Sequence, residues 1–407
     1  MRIALVSHEY PPETGGGGIG TYLAQVTVLL ARAGHEVQVF AGSTGSSSRA
    51  RLPGGGQLHR IATGRDQEFR SAVVLPFLTE HRALPFDVIE GTDFDASALE
   101  IKRALPELPY VVKLHTPRFV IDELHAHPPA GWPRLRMTLG ALRRGQWPRT
   151  VPIREQAAAQ AELAALRLAD EIAAPSQAVA NAALQWAPLD QDRISVFPYP
   201  YGPGPELLQI STGGTTNRIT YLGRLEERKG VIDLADAIPL VLAQNPQARF
   251  RFVGRSMPHG PSGQDIQTFL QARLDRNAAT VEFLGPRPPG EIRGLLAETD
   301  ILAAPSHWES FGLVCCEGLA AARAVLGSAN GGMAEILGNG RYGVLVPPHR
   351  PDAIARALLD LLADPARRQA LGEAGRRHVL EHFTADRVVA AQVASYHRAI
   401  ARARSQN

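Results

Sequence analysis

The sequence predicts an α/β protein of two similar-sized domains, each a parallel sheet covered by helices. Short apolar runs alternate with amphipathic segments along the whole chain, the pattern of repeated strand–helix–strand units. At 407 residues the chain exceeds the size at which a single hydrophobic core keeps growing. Breakers concentrate near mid-chain, in Gly202-Pro203-Gly204-Pro205 and Ser211-Thr212-Gly213-Gly214-Thr215-Thr216, and the alternation restarts after them.

The first apolar run, Ile3 to Val6, leads through a Pro/Gly loop to an amphipathic segment, Thr21 to Ala33. Gly34 closes that segment and Val37 to Phe40 follows, a βαβ opening. Further strands are expected at Val88–Glu90, Tyr110–Leu114, Ile172–Ala174 and Ile194–Phe197, with helices over Ala96–Ala104 and Glu155–Ala169. Beyond the breakers, strands are expected at Ile219–Leu222, Phe250–Val253, Val281–Leu284, Ile301–Ala304 and Val325–Leu326. Helices fall from about Val231 and over Gln264–Arg276. Continuous apolar strands of this kind are those buried on both faces. A nearly breaker-free stretch, Asp386 to Arg404, follows Thr384 as its N-cap and ends the chain as a helix. The domains expected are therefore 1–205 and 206–385, with a C-terminal helix over 386–407.

Apolar residues make up 44% and charged residues 20%, which excludes a wholly disordered or fibrous chain. The net charge of +3 lacks the basic field of a dedicated nucleic-acid binder, so nucleic acid is not an expected partner. The two cysteines, Cys315 and Cys316, are neighbours; they build no disulfide framework and are expected to stay reduced. The opening apolar run is too short for a signal peptide, and no window approaches about 18 uninterrupted apolar residues. A cytoplasmic chain is expected, with at most a peripheral contact at the inner membrane face. Basic charge is almost wholly arginine, with lysine only at 102, 113 and 229.

Gly15, Gly17 and Gly20 form a literal G-x-G-x-x-G, but a dinucleotide site is rejected. The fingerprint turns directly off the first strand, whereas 9 positions separate Val6 from Gly15, and the second strand ends Phe40-Ala41-Gly42 without a ribose-binding acid. What remains is a flexible backbone leading to a helix N-terminus, where N–H groups can face an anion, or a plain connection.

Gly223-Arg224-Leu225-Glu226-Glu227-Arg228-Lys229-Gly230 directly follows the first strand of the second domain, placing Arg224 and Lys229 where open α/β sheets bind ligands. A guanidinium fork and a compact ammonium suit a diphosphate, although a bare charge run is more often a solvated face. Ser306 to Glu317 joins the strand Ile301–Ala304 to an apolar helix beginning near Gly312. Glu309 falls in the loop, and Glu317 in a helical setting of Cys, Gly, Leu and Ala where an unpaired carboxylate needs donors. The backbone N–H groups of Phe311, Gly312 and Leu313 sit where a helix dipole favours negative charge.

Together these elements resemble the retaining nucleotide-sugar glycosyltransferases of family GT4. The resemblance spans nearly the whole chain. It covers Pro11-Pro12-Glu13 with Gly17-Gly18-Ile19-Gly20, the G-R-x4-K-G block from Gly223, the E-x7-E pair Glu309 and Glu317, and Gly331-Gly332-Met333-Ala334-Glu335. It implies the GT-B fold, two Rossmann-like domains facing a central cleft, with the C-terminal helix crossing back to the N-terminal domain. It further implies that Arg224 and Lys229 hold the donor diphosphate and Glu309 contacts the transferred sugar. Glu317 would bind the ribose hydroxyls, Arg287 would face the base, and Gly17 or Gly18 would make the acceptor-side contact. His115, ending the strand Tyr110–Leu114, matches the family's active-site histidine near sugar and acceptor.

The reaction so implied moves a hexose from a nucleoside-diphosphate sugar to an acceptor hydroxyl with retention. A UDP-sugar is favoured, a GDP-sugar is possible, and no cofactor is needed beyond this co-substrate. The acceptor would be a sugar, a lipid-linked molecule or a small molecule. A GT-B epimerase or phosphorylase, or a nucleotide-sugar-binding protein without transferase activity, is the alternative. No metal site is expected, since Asp93-Phe94-Asp95 falls in a strand-to-helix loop where Asp serves as a cap. Between Gly131 and Thr150, arginines 134, 136, 143, 144 and 149 interleave with apolar residues and no acid. Such a stretch lies on an anionic membrane, forms a lid, or packs as a helix pair with solvated arginines.

Overall fold

The computed structural model of the protein describes residues 1–15, 17–63, 66–125, 156–214, 216–258 and 260–406. The arginine-rich stretch 131–150 lies outside them. The chain forms two compact units. One comprises Met1–Ala174, Val179–Phe197 and Val389–Asn407; the other comprises Pro175–Ala178 and Pro198–Val388. The second unit therefore begins at Pro198, ahead of the breaker-rich stretch, because breakers mark turns and not the limit of a packed core.

The first unit holds eight strands: β1 (Arg2–Ser7), β2 (Glu36–Ser43), β3 (Ser48–Arg51), β4 (Gln57–Ala62), β5 (Val88–Thr92), β6 (Tyr110–Lys113), β7 (Glu171–Ala174) and β8 (Ile194–Val196). Their order is β3-β4-β2-β1-β5-β6-β7-β8. All neighbours are parallel except β3 and β4, an antiparallel edge that the expected all-parallel sheet lacked. Every residue of β3 is exposed, so no apolar pattern marks it. The helix Gly18–Arg32 buries Tyr22, Leu23, Val26, Thr27 and Leu30, the spacing of one helical face, and Gly34 at φ 83° lets the chain turn back.

The second unit holds β9 (Arg218–Leu222), β10 (Arg249–Val253), β11 (Val281–Gly285), β12 (Ile301–Ala304), β13 (Ala324–Ser328) and β14 (Val344–Val346). They are ordered β11-β10-β9-β12-β13-β14, all parallel. Ile219 pairs with Phe250 on one side and Ile301 on the other. With Tyr221, Phe252 and Leu326 these side chains make the core under the helices Val231–Leu242 and Pro351–Ala363. Each such side chain, fully buried, contributes about 1.5–3 kcal/mol.

In both sheets the strand order reverses beside the first strand, between β1 and β5 and between β9 and β12. Open α/β sheets carry their ligand crevice at the carboxyl ends of such a pair. The expected strands all form, but two helices are shorter. Gln264–Arg276 forms only over Ile266–Arg273 before a 3-10 turn. Ala96–Ala104 forms only from Leu99, because Asp95 and Ala96 take positive φ of 57° and 50°.

Candidate active site

In the second unit the loop after β9 is built on glycines that no other residue replaces. A Cβ on Gly230, at φ 70°, would lie 1.9 Å from the Pro305 carbonyl oxygen, and one on Gly254, at φ 147°, would lie 1.8 Å from that of Gly223. The second approach holds the loop 223–230 against the loop after β10, and the first holds it against the loop after β12, where the His307 amide donates to the Arg228 carbonyl at 2.8 Å.

Side-chain chemistry converges there. Lys229 Nζ donates to Glu309 Oε1, and Arg228 Nη1 lies 3.8 Å from the same oxygen. Arg228 also donates to the Trp308 carbonyl at 3.1 Å and to Glu226 at 2.6 Å. Arg224 reaches Glu226 at 3.3 Å but keeps 44% of its side chain exposed. Burial and the neighbouring guanidiniums of Arg228 and Arg224 pull the Lys229 ammonium down to about 7, with the Glu226 carboxylate opposing them.

Glu309 is 7% exposed and its backbone is clasped by Gly331 and Gly332, where a Cβ would lie 2.2 Å from the Glu309 oxygen and 2.3 Å from that of Ser310. Gly312, at φ 102°, precedes the helix Leu313–Ala320, in which the Cys315 amide donates to the Gly312 carbonyl at 2.8 Å and the Leu313 and Val314 amides lie ahead of that bond. Phe311 is buried against Tyr199 and Phe383, so the ring serves the core and only its backbone can meet a ligand. Half-buried Glu317 lies on that helix; desolvation alone pushes its carboxyl up to about 7, and among the described residues no partner engages it. Cys315 and Cys316 are free and buried behind it, the Cys315 thiol pushed up to about 12.

Arg287 stands apart, on the loop after β11, paired with Glu291 at 3.5 Å on the surface. Glu335 accepts from the amides of Gln177 and Ala178, both at 2.9 Å, the segment the second unit takes from mid-chain.

In the first unit, the loop after β1 leads to the helix Gly18–Arg32, with Gly17 as N-cap and no acid in the first turn. Gly15 and Gly20 are the sterically required positions, since a Cβ would lie 2.6 Å from Glu9 Cβ and 2.9 Å from the Gly15 oxygen respectively. A Cβ on Gly18 meets nothing within 4 Å, so open space lies there.

His115 follows β6, 3% exposed, its ring edge-on to Tyr22 at 5.2 Å. Burial and the Lys113 charge hold its pKa well below the usual value, so the imidazole is neutral. Asp93 departs from the cap expected of it: its side chain makes no cap hydrogen bond and instead accepts the His115 amide at 3.0 Å. Buried, Asp93 is pushed up to about 7. Lys113, fully buried over the Phe197 ring at 3.9 Å, is pulled down to about 7, with the buried Glu90 carboxylate opposing the shift.

The structure thus brings Lys229, Arg228 and Glu309 together at the carboxyl ends of β9 and β12, with Arg224 at the rim and Gly312 and Glu317 on the segment that follows the Glu309 loop. Sequence reasoning missed Arg228 and Glu226, which tie Arg224 and Glu309 into one network, and Asp93 as the residue that positions His115. Arg228 was legible as a third cation in the run; Asp93 required the tertiary neighbour.

Residues 17–200 match the family described as glycosyl transferase 4-like domain, and residues 209–378 that described as glycosyl transferases group 1. D-inositol 3-phosphate glycosyltransferase of Gordonia bronchialis is 30% identical over 98% of this chain and 89% of its own length. Glycogen synthase of Mycobacterium tuberculosis is 26% identical, over 97% and 94%. Among solved structures, sucrose-phosphate synthase from Thermosynechococcus elongatus superposes with a TM-score of 0.77 at 21% identity, over 98% of this chain and 99% of that one. Anabaena HepE in complex with UDP-glucose superposes with 0.69 at 17%, over 97% and 100%. These likenesses make the fold GT-B.

Proposed function

This chain belongs to the GT4 family of glycosyltransferases, enzymes acting on nucleotide sugars, and from that premise we propose that it transfers a hexose from UDP to an acceptor hydroxyl with retention of configuration. The observation that carries the reading is the Lys229–Glu309–Arg228 cluster beside the amides that open the helix at Leu313. Charge develops on the leaving diphosphate as the glycosidic bond breaks. A fixed ammonium, the Arg224 guanidinium at the rim and the helix-opening N–H groups oppose that charge without reorganising. Each charge-assisted hydrogen bond contributes about 1.5–3 kcal/mol. Glu309, freed from Lys229 as the phosphate arrives, accepts sugar hydroxyls, and Glu317 accepts those of the ribose. Neutral His115 is proposed to contact the sugar or acceptor, and Arg287 the base.

UDP is chosen over GDP on the family resemblance and on the nucleotide carried by HepE in its complex. The acceptor is a sugar, a small molecule or a lipid-linked hydroxyl, and catalysis requires no metal at the reacting atoms. No described helix is long and apolar enough to cross a membrane. The deciding experiment incubates UDP- and GDP-hexoses with an acceptor panel in the presence of chelator and reads the anomeric configuration of the product. Transfer from the UDP-sugar with the donor's configuration kept is expected. An inverted product, or activity only with restored magnesium, overturns the reading.

A further inference from the structure

Beside the phosphate-binding loops, the second unit brings together three side chains widely separated in sequence: Asp233, His307 and His349. Asp233 stands in the first turn of the helix Val231–Leu242, directly after Gly230. His307 lies on the loop after β12, two positions before Glu309, and His349 on the turn between β14 and the helix Pro351–Ala363. Their ligand atoms all lie within 4.8 Å of one another. His307 Nε2 is 2.8 Å from Asp233 Oδ2, His349 Nδ1 is 4.0 Å from the same oxygen, and the two rings sit with centroids 3.8 Å apart.

Two imidazoles and a carboxylate are the donor set of a zinc-type cation. Calcium and magnesium, which prefer oxygen donors, do not suit it. Zinc bonds of about 2.0–2.2 Å need ligand atoms only slightly regrouped from these positions, leaving a fourth place for water.

Backbone features favour a built arrangement. His349 holds φ 58°, a left-handed conformation that is unfavourable for a non-glycine residue. The His307 backbone is fixed at both ends, its amide donating to Arg228 O at 2.8 Å and its carbonyl accepting from Asn330 Nδ2 at 3.0 Å. Asp233 and His307 are largely buried, whereas 64% of the His349 side chain is exposed and gives a cation its entry.

We propose that Asp233, His307 and His349 bind one zinc-type divalent cation, His307 through the Nε2 that faces Asp233, with the N–H of its neutral ring on Nδ1. The cation does not touch the reacting atoms. It ties the start of the Val231 helix, the loop carrying Glu309 and the turn after β14 into one rigid frame, so its effect is on the order of the donor loops.

The test uses the full chain stripped with chelator and given zinc alone, followed by calorimetry, with cobalt absorption as a spectroscopic reading; neither needs transferase activity. One zinc per chain is expected, with a cobalt spectrum of low coordination number. Even loss of a supporting contact costs metal sites about 10–100-fold, so His349→Ala and Asp233→Asn should weaken binding by more than about tenfold. His349→Gly removes the ligand while relieving the positive φ, so it separates lost coordination from lost folding. His382→Ala, an exposed histidine elsewhere in the unit, should bind as the wild type does. No stoichiometric zinc on the wild type, unchanged affinity in the His349 variants, or loss of binding in His382→Ala overturns the proposal.

Discussion

Lys229 and Glu317 carry opposite charges, and burial pushes both toward pH 7 from opposite sides. In the proposed role of Lys229, its replacement with alanine removes one charge-assisted contact to the departing diphosphate, so kcat should fall by about 10–100-fold in a protein that still folds. Arginine at 229 should not restore it, because a planar fork does not fit where a compact ammonium meets Glu309. Glu317 makes a prediction with a definite sign. Its carboxyl is raised in the folded protein, so between about 4.5 and 7 the native state holds a proton that the unfolded chain has lost. Its contribution to stability is therefore present below the unfolded value and lost as pH rises through the folded one. Glu317→Gln should melt higher than the wild type at pH 8 and no higher at pH 4. In its proposed role Glu317 accepts ribose hydroxyls in the ionised form, so the advantage in UDP affinity of the wild type over Glu317→Gln, in which the Lys229 titration is common to both, should widen as pH rises through about 7, read by calorimetry.

At the scale of elements, the site depends on loops held closer than side chains allow. Gly230→Ala places a Cβ against the Pro305 carbonyl at positive φ. The mutation should cost more than about 2 kcal/mol, read as a lower denaturation midpoint, together with weakened nucleotide binding. Gly18→Ala is the contrast: open space surrounds that position, so the protein should fold normally, and any effect should fall on substrate KM. Most strands that position these loops were legible as continuous apolar runs. The strands Ser48–Arg51, Gln57–Ala62 and Val344–Val346 were not, and the first of them, an exposed antiparallel edge, carries no burial pattern. Asp93-Phe94-Asp95 read as a cap because Asp before a helix usually is one; here two positive φ values delay the helix and free Asp93 to hold His115.

Across the whole molecule, the last helix binds the chain's end to its beginning. Gln392 and Tyr396 donate to buried Glu90, at 2.5 and 2.9 Å, and Tyr22 donates to it at 2.8 Å. Arg398 pairs with fully buried Glu171 at 2.8 Å, and Arg402 contacts the same carboxylate. A chain ending at Val388 would take away the Gln392, Tyr396, Arg398 and Arg402 donors and uncover the apolar surface that the helix buries, leaving Glu90 with Tyr22 and Glu171 with Ser195. Such a truncation should destabilise the first unit enough to lower its melting transition markedly, while UDP still shifts that of the second unit, a separation calorimetry can resolve.

The sequence alone determined the two α/β units, most of their strands and the positions of the G-R-x4-K-G and E-x7-E motifs, because apolar periodicity and short-range spacing are written locally. Tertiary structure decided which cations meet Glu309, that Asp93 serves His115, and that Asp233, His307 and His349 share one corner. Those outcomes depend on which strands lie side by side at the switch point, and a parallel sheet places neighbours in space that the chain keeps far apart.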